Sequence, residues 1–235
     1  MKSVLYILSN KFENLFKFKY LASNADFIIA VDGGLSIAKD FNLLDKVILA
    51  VGDFDTCKNP ERIIPPEKII RFPSKKDLTD TALAYNLCIN SKKELLGNQL
   101  NHIFFSVSGQ REDHFFSLIF YFISLMKNLH ESNFINLSNI EFHNDVESIF
   151  ILSKGSYEIY NQKDKLFSFF PLTNLKNLFI HPVEYKFPNT LPAFYSIGIS
   201  NVFKEKIIKI SFSCGYSILF IENKDGEEIK IIKLN

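Results

Sequence analysis

Residues 47–56 read VILAVGDFDT, an apolar run that ends in two aspartates separated by one residue. A strand that is apolar at every position is covered on both faces, which is typical of a parallel sheet between layers of helices. Similar apolar runs lie on both sides of it and alternate with segments of helical length. The predicted strands are 3–8, 25–31, 47–51, 68–72 and 102–107, and the predicted helices are 13–22, 35–41, 78–89 and 114–129. This alternation predicts an N-terminal α/β domain with a doubly wound, mostly parallel sheet.

The pattern changes after about residue 145, where helical periodicity fades and short runs rich in Ile, Phe and Tyr stand between turn residues. Strands are predicted at 148–152, 157–160, 166–170, 207–213, 217–222 and 228–234, with a hairpin turn at Asn223-Lys224-Asp225-Gly226. Several short strands at this spacing favour an antiparallel β-sandwich. We therefore expect two domains, 1–143 and 144–235, with a junction near 140–147, where the stretch 141–145 is polar enough to be exposed.

Composition restricts the classes of function. The net charge is +1 and Lys and Arg are scattered, which argues against a surface for nucleic acid or for an anionic membrane. The three cysteines lie far apart, which favours free thiols in a reducing, cytoplasmic compartment over disulfides or a zinc site. Residues 1–8 lack the long apolar run of a signal peptide, and the apolar stretch 115–126 is too short to cross a bilayer. We expect a soluble protein.

Acidic residues follow four successive predicted strands. In an open α/β sheet, ligands bind beyond the carboxyl ends of the strands, so residues at these positions are candidates for function. Each motif taken alone also has a structural interpretation, as a turn at 32–34 or as the first turn of a helix at 79–80 and at 113. Acidic residues after four successive strands are better explained by a shared functional edge of the sheet than by coincidence. The carboxylates predicted at this edge are Asp32, Asp53, Asp55, Asp77, Asp80 and Asp113.

Carboxylates gathered at one edge indicate phosphoryl transfer. Like charges close together need a compensating cation, and carboxylate oxygens are ligands that Mg²⁺ prefers. Arg111 offers a planar fork to phosphate oxygens, and Lys75 or Lys76 offers a point charge. Glycines at the same strand ends let the backbone approach a nucleotide closely: Gly33, Gly34 and Gly109. The sequence contains neither a GxxxxGK[ST] loop nor a GxGxxG motif, so neither a P-loop kinase nor a dinucleotide-binding enzyme is predicted.

Taken in order, these motifs resemble those of the thiamine pyrophosphokinase family. The matching motifs are Asp32-Gly33-Gly34, Gly52-Asp53-Phe54-Asp55, Asp77-x-Thr79-Asp80 and Gly109-x-Arg111-x-Asp113-His114. The resemblance extends over about residues 26–120 and resumes near the C-terminus. There, Lys186-Phe187-Pro188 and Gly198-Ile199-Ser200-Asn201 are similar to a Lys-aromatic-Pro stretch and a Ser-Asn motif of that family. Each motif alone is weak, whereas the ordered set is specific.

The resemblance implies an ATP-binding α/β domain, a C-terminal β-sandwich and a homodimer that binds thiamine at the subunit interface. It implies Mg²⁺ held by Asp53, Asp55 and Asp80, with Arg111 and Asp113 completing the catalytic set. The residues implied around ATP are Asp32, Gly33, Gly34, Lys76, Asp77, Thr79, Gly109 and Arg111. The residues implied around thiamine are Phe187, Ser200 and Asn201. In the implied reaction, the thiamine hydroxyl attacks the β-phosphorus of ATP and AMP is released.

The sequence departs from the family pattern at three places. Gln110 replaces the second of two glycines that usually precede the arginine. Residues 9–11 read SNK where a glycine-containing turn is common. Residues 184–185 read EY where Gly-Leu is usual, and the segment 187–198 is shorter than in the family. The third departure falls in the acceptor segment, so the identity of the acceptor depends on fewer matching residues than the ATP-binding half does.

Three other functions share part of this pattern. A diphosphokinase of the same fold that acts on another hydroxymethyl heterocycle, such as a pterin, would have the same ATP-binding half. A non-catalytic protein that binds thiamine or nucleotide would keep the fold without needing Asp53, Asp55 and Asp80 together. A phosphatase with an Asp-x-Asp nucleophile would use residues 53–55, although such a pair usually ends the first strand and here it follows the third.

Overall fold

The computed structural model of the chain describes residues 2–8, 11–91, 100–106, 111–128, 140–160, 162–222 and 229–234. The chain forms two compact units. The first consists of Met1–Asn136 and Ile140–Asp145, and the second of Leu137–Asn139 and Val146–Asn235. Each unit contains a buried apolar cluster of its own.

The described residues of the first unit form a parallel sheet with helices between its strands. The strands are β1 (Lys2–Ile7), β2 (Phe27–Val31), β3 (Val47–Gly52), β4 (Ile69–Arg71), β5 (Leu100–Phe105) and β6 (Ile140–His143). The helices are α1 (Leu15–Asn24), α2 (Gly34–Asp40), α3 (Asp80–Ser91) and α4 (Glu112–Asn128). The strand order β6-β5-β1-β2-β3-β4 shows that the chain builds outward from β1 to β4 and then places β5 on the other side of β1. The predicted doubly wound α/β class is confirmed.

The packing of this sheet explains its apolar strands and the position of its loops. Strands β1, β2, β3 and β5 are buried along nearly their whole length. Helix α1 packs Phe18 against Phe105 of β5, with ring centroids 5.3 Å apart. Helix α2 lies so close to the end of β1 that a Cβ atom at Gly34 would overlap with the carbonyl oxygen of Ile7. The chain therefore turns from β2 directly into α2 at the carboxyl edge of the sheet.

The polar stretch 141–145 is not the exposed junction that its composition suggests. Residues 140–143 form β6, which pairs in parallel with β5, and the side chain of Phe142 is only 1% exposed. The buried imidazole of His143 bonds to Glu141, with Nε2 and Oε2 3.1 Å apart. The prediction of exposure is wrong because these polar side chains find partners within the strand and its surroundings.

The second unit consists of antiparallel strands. They are β7 (Glu147–Tyr160), β8 (Leu166–Pro171), β9 (Phe179–His181), β10 (Asn201–Val202), β11 (Ile207–Glu222) and β12 (Lys230–Leu234). Strands β7 and β11 pair along their length, with a shift of register between Phe212 and Tyr216. Strand β8 pairs with the later part of β11, and β9 pairs with the earlier part of β11. Strand β12 pairs with the later part of β7. These antiparallel strands contribute to one apolar cluster, in agreement with the antiparallel C-terminal part predicted from the sequence.

Two predicted pairs of short strands are continuous in the structure. The predictions 148–152 and 157–160 lie within β7, and 207–213 and 217–222 lie within β11. The interruptions coincide with Gly155 and Gly215, and at Gly215, where φ is 92°, a Cβ atom would overlap with the side chain of Thr173. The glycines let a paired strand bend instead of ending it. The predicted turn at 223–226 lies outside the described residues.

No helix in the described ranges is long and apolar enough to span a membrane.

Candidate active site

Three aspartates meet at the carboxyl edge of the first unit. Asp32 follows β2, and Asp53 and Asp55 follow β3. Strands β2 and β3 are parallel neighbours, with Val31 in register with Val51, so the two loops leave the sheet side by side. One carboxylate oxygen of each aspartate lies within 4.8 Å of the other two. This spacing allows a single divalent cation to contact all three side chains.

The backbone of the two loops holds these carboxylates in place. Asp32 and Phe54 both have left-handed conformations, with φ of 52° and 58°. The backbone N–H of Phe54 donates to Oδ1 of Asp32 at 2.9 Å, and the N–H of Asp55 donates to Oδ1 of Asp53 at 3.3 Å. At Gly52, a Cβ atom would overlap with Oδ1 of Asp32. The Gly-Asp-Phe-Asp order thus allows the Asp32 carboxylate to lie directly against the end of β3.

The electrostatics show that negative charge is concentrated here. Partial burial raises the pKa of Asp32 to about 6, and the negative charges of Asp80, Asp53 and Asp55 add to this rise, while the bond from the Phe54 N–H opposes it. The pKa of Asp53 is lowered by a hydrogen bond with the side chain of Ser74, and Lys76 contributes in the same direction. A carboxyl group that resists ionisation beside two other carboxylates marks a site where a cation would relieve repulsion.

Asp80 lies near this group but is paired differently. It is the first residue of α3, and its Oδ1 lies 2.9 Å from Nζ of Lys76, one helical turn earlier in the chain. Both side chains are largely buried, with 21% and 13% exposed, and Lys76 also donates to the carbonyl oxygen of Pro73 at 3.1 Å. The three-carboxylate group therefore contains Asp32 in the place predicted for Asp80. Asp80 remains close enough for its charge to raise the pKa of Asp32.

The other predicted residues of the ATP-binding half are distributed around this edge. Thr79 caps α3, since its Oγ1 accepts the N–H of Ala82 at 3.3 Å, and Asp77 is exposed in the preceding loop. Gly33 and Gly34 follow Asp32 at the start of α2. The predicted Gly109 lies outside the described residues.

Arg111 and Asp113 form an exposed pair at the start of α4, which follows β5. Nε of the arginine donates to Oδ1 of the aspartate at 2.9 Å, and Nη2 donates to Oδ2 at 2.7 Å. The guanidinium lowers the pKa of Asp113 to about 2, so this carboxylate stays ionised. The pair presents a fixed, charged fork to solvent, and phosphate oxygens could replace the carboxylate on the guanidinium.

Arg71 is not among the residues predicted from the sequence, yet in the structure it lies beside the loop of Asp53. Arg71 ends β4 in register with Gly52, and its guanidinium carbon lies 5.0 Å from the centre of the Phe54 ring. It also forms an ion pair with Glu61, with Nη2 and Oε1 2.7 Å apart. A cation immediately after the apolar residues 69–70 of a strand was the available signal.

The predicted acceptor residues lie in the second unit and differ in their surroundings. Ser200 is exposed, with φ of 52°, and its backbone N–H donates to Oγ of Ser168 at 3.2 Å. Phe187 packs on Phe169, with ring centroids 5.6 Å apart, and a Cβ atom at Gly198 would overlap with its ring. One face of the phenylalanine thus already contacts the protein core.

Asn201 is 1% exposed, and its side chain is engaged by the backbone. Its Oδ1 accepts the N–H groups of Tyr185 at 3.0 Å and of Val202 at 2.9 Å, and its Nδ2 donates to the carbonyl oxygen of Tyr185 at 2.7 Å. These bonds tie the segment at residue 185 to β10. The amide therefore has an architectural role that its short motif did not reveal.

Comparisons with known proteins indicate the family of this domain. Residues 18–133 match the family model described as thiamin pyrophosphokinase, catalytic domain. Solved structures similar to the chain include a thiamin pyrophosphokinase family protein from Enterococcus faecalis, at 23% identity and a TM-score of 0.72, covering 96% of this chain and 100% of that one. Thiamine pyrophosphokinase from Bacillus subtilis is 20% identical with a TM-score of 0.71, covering 95% of this chain and 100% of that one.

A similar fold also occurs in a fungal protein. Thiamin pyrophosphokinase from Candida albicans is 19% identical with a TM-score of 0.67, over 95% of this chain and 89% of that one. At these identities the structural likeness shows a shared fold. No curated protein matches the sequence. The resemblance carried by the ordered motifs is nevertheless confirmed by the family model, and residues 18–133 belong to the thiamin pyrophosphokinase catalytic-domain family.

Proposed function

We propose that the chain is an ATP:thiamine diphosphotransferase, a magnesium-dependent kinase that makes thiamine diphosphate. The hydroxyl oxygen of thiamine attacks the β-phosphorus of ATP, the bond from that phosphorus to the oxygen bridging to the α-phosphorus breaks, and AMP leaves while the hydroxyl proton is released. The observation that carries the proposal is the group formed by Asp32, Asp53 and Asp55, whose oxygens lie within 4.8 Å of one another at the sheet edge. Membership of residues 18–133 in the catalytic-domain family supports the assignment.

The three carboxylates fit a magnesium ion by the chemistry of their donors. They offer hard oxygen ligands, and burial together with the neighbouring carboxylates raises the pKa of Asp32, so a bound cation would favour its ionised form. When bound, Mg²⁺ supplies charge neutralisation at the phosphates of ATP. In this proposal Asp53 and Asp55 are ligands as the family resemblance implies, and Asp32 joins them. Asp80 adds negative charge from the adjoining position, where Lys76 holds it.

Cationic side chains from separate loops bind the phosphate chain in this proposal. Lys76 lies next to the aspartates and offers a point charge to a phosphate oxygen. Arg111 offers two donors, and Asp113 orients its guanidinium until phosphate binds. Because diphosphate transfer requires little covalent chemistry from the protein, positioning and charge neutralisation account for most of its contribution. A role in binding the nucleotide, as the family resemblance implies, is proposed for Asp77, Thr79, Gly33, Gly34 and Gly109.

The acceptor half of the proposal rests on the second unit. Ser200 is exposed, and Phe187, whose ring lies against Gly198 in the same segment, is proposed to offer an aromatic surface to a flat heterocycle. Asn201 shapes this segment through its bonds to Tyr185. The proposal includes a homodimer, as the family resemblance implies, and a cytoplasmic location, which is supported by three cysteines that are all free thiols.

A direct assay tests the function. The purified chain is incubated with ATP, MgCl₂ and thiamine, and AMP and thiamine diphosphate are quantified by chromatography. We expect both products in equal amounts, and none after chelation of the metal with EDTA. Parallel reactions contain 6-hydroxymethylpterin or no acceptor.

The controls separate the competing functions. AMP formed with the pterin and not with thiamine would assign a different acceptor to the same fold. A rise in melting temperature with thiamine or ATP, without AMP in any reaction, would identify a binding protein. Phosphate release from a simple monoester, with no AMP formed, would favour the Asp-x-Asp phosphatase.

A further inference from the structure

Arg71 lies beside the loop that carries two of the three aspartates, and the proposed reaction gives it no role. It is the last residue of β4, and the parallel ladder places it in register with Gly52, one position before Asp53. The ladder continues past it, since the N–H of Phe72 donates to the carbonyl oxygen of Gly52 at 3.0 Å. Its backbone is therefore fixed relative to the loop that follows β3.

The guanidinium of Arg71 has three neighbours. Its Nε and Nη2 donate to Oε1 of Glu61 at 3.2 and 2.7 Å. Its central carbon lies 5.0 Å from the centroid of the Phe54 ring, within the range of a cation–π contact. Its Nη1 lies 3.5 Å from the carbonyl oxygen of Asp53. The arginine thus joins a short helical turn, Pro60–Arg62, to the loop that contains the aspartates.

Phe54 explains why such a contact matters. A bulky residue rarely adopts a left-handed conformation, yet Phe54 has φ of 58°. This conformation allows its N–H to point at Oδ1 of Asp32, while its ring is buried with 3% exposed. A strained residue keeps its conformation only where the surroundings determine it. Arg71 contacts both the ring of Phe54 and the carbonyl group that precedes it in the chain.

We propose that Arg71, oriented by Glu61, is a positioning residue that holds the loop 53–55 in the conformation that brings Asp32, Asp53 and Asp55 together. The expected consequence, a change in metal affinity, rests on the proposed function. The structural content of the inference, the fixed conformation of Phe54, is independent of catalysis. The arginine acts through the backbone and ring of Phe54 and through the carbonyl of Asp53.

Charge alone predicts the opposite result, which makes the inference testable. Arg71 is a cation next to a cluster of carboxylates, so removing its charge should strengthen cation binding if only electrostatics act. A positioning role predicts weaker binding, because the three oxygens lose their preset spacing. The sign of the change therefore separates the two explanations.

The first experiment measures binding of Mn²⁺ alone, followed by electron paramagnetic resonance of the free ion. The variants are Arg71→Met, which keeps an unbranched apolar stem, and Arg71→Lys, which keeps the charge without the fork. Arg62→Met is the matched control, because it removes the same charge from an exposed side chain nine residues earlier, on the neighbouring turn. We expect Arg71→Met to bind Mn²⁺ about tenfold more weakly, Arg71→Lys to lie between it and the unmodified chain, and Arg62→Met to be unchanged.

The second experiment measures how well the conformation of the loop 53–55 is held in the absence of metal. Amide hydrogen exchange reports on the Phe54 N–H, and the N–H of Ala50 within β3 provides the internal reference. We expect the Phe54 amide to exchange about tenfold faster in Arg71→Met, at an unchanged rate for Ala50. Because the Arg71–Glu61 pair is exposed at its surface, with 47% and 43% of the side chains accessible, the variant should melt near the unmodified chain.

A double variant tests the role of Glu61. Glu61→Gln should weaken Mn²⁺ binding in the unmodified background and have no further effect in Arg71→Met, because it acts through the arginine. Binding of Mn²⁺ by Arg71→Met as tight as that of the unmodified chain, or tighter, would overturn the inference. If the unmodified chain binds no Mn²⁺, the proposed function fails, and the positioning role of Arg71 is then tested by the exchange rate of the Phe54 amide alone. Faster exchange in Arg71→Met then supports the positioning role, and unchanged exchange overturns it.

Discussion

The carboxylate edge of the first unit and the segment 185–201 of the second unit both contain short motifs of the family, but the two regions differ in structural character. At the edge, Asp32, Asp53 and Asp55 face one another, and the pKa of Asp32 is raised to about 6. In the second segment, the amide of Asn201 is buried and makes three hydrogen bonds to backbone groups of Tyr185 and Val202. A carboxyl group with a raised pKa beside two other carboxylates is typical of a ligand site, whereas a buried amide bonded to the backbone is typical of an architectural role.

This comparison predicts different responses to substitution. Replacing a carboxylate of the edge should leave folding intact or improve it, and should remove activity. Replacing Asn201 should reduce stability first and affect activity through the shape of its segment. The four predictions that follow run from the largest expected effect to the smallest.

Asp53→Asn should reduce kcat about a thousandfold or more, because a neutral amide is a poor ligand for a divalent cation and the transferred phosphates lose their charge neutralisation. The melting temperature should be unchanged, since the carboxylate lies outside the apolar core. Formation of AMP and thermal unfolding measure the two effects. Asp45→Asn, at an exposed position before β3, is the control and should keep full activity. Full activity of Asp53→Asn would contradict the assignment of the metal site.

Asn201→Ala should lower the free energy of unfolding by about 1–3 kcal/mol, because two backbone N–H groups and one carbonyl group lose their buried partner. Urea unfolding measures the change. Asn177→Ala is a useful comparison, because the amide of Asn177 makes an exposed hydrogen bond to Ser213 and should contribute less. Unchanged stability combined with a raised KM for thiamine would make Asn201 an acceptor residue and remove the contrast between the two regions.

Asp32→Asn should stabilise the metal-free protein at neutral pH. The pKa of Asp32 is raised in the fold, from 3.8 to about 6, so the stabilising contribution of its neutral form is complete below pH 3.8 and is lost as the pH rises through 6. The asparagine oxygen can still accept the N–H of Phe54. In EDTA at pH 7.5, we therefore expect a higher melting temperature for the variant, with no difference near pH 4. Added Mg²⁺ should stabilise the unmodified chain more than the variant. Equal melting temperatures of the variant and the unmodified chain across this pH range would contradict the raised pKa of Asp32.

Ser200→Ala should raise the KM for thiamine several-fold and leave the KM for ATP unchanged, since Ser200 is exposed in the acceptor segment and one hydroxyl bond contributes about 1 kcal/mol. Steady-state assays with each substrate varied in turn measure both values. Ser196→Ala, another exposed serine of the same segment, is the control. An unchanged thiamine KM would place the acceptor elsewhere.

The sequence predicted the sheet of the first unit well because its strands are buried on both faces and its helices separate them in order. The aspartates at the strand ends could be predicted for the same reason, since parallel strands bring their carboxyl ends to one edge. The pairing of Asp80 with Lys76 could not be predicted, because it depends on the direction of a loop side chain. Arg71 was missed because its contacts involve Glu61 and Phe54, which no local pattern links to it.

The second unit was harder to predict because its two longest strands bend. A glycine between two β-rich runs indicates a turn when read locally, and only the pairing of β7 with β11 shows that Gly155 lies inside a strand. Strands β9 and β10 have three and two residues, too few for any periodicity to appear. Their positions depend on partners that are distant in sequence.

Gly52 limits how far the sequence at the end of β3 can change. The space beside it is filled by a carboxylate, so even one extra carbon atom at this position would displace Asp32. The five residues before it, 47–51, are apolar and mostly buried, so aliphatic side chains can replace one another there as long as volume is preserved. Distant relatives can therefore have different aliphatic residues along the strand that corresponds to β3, provided that the strand ends in glycine.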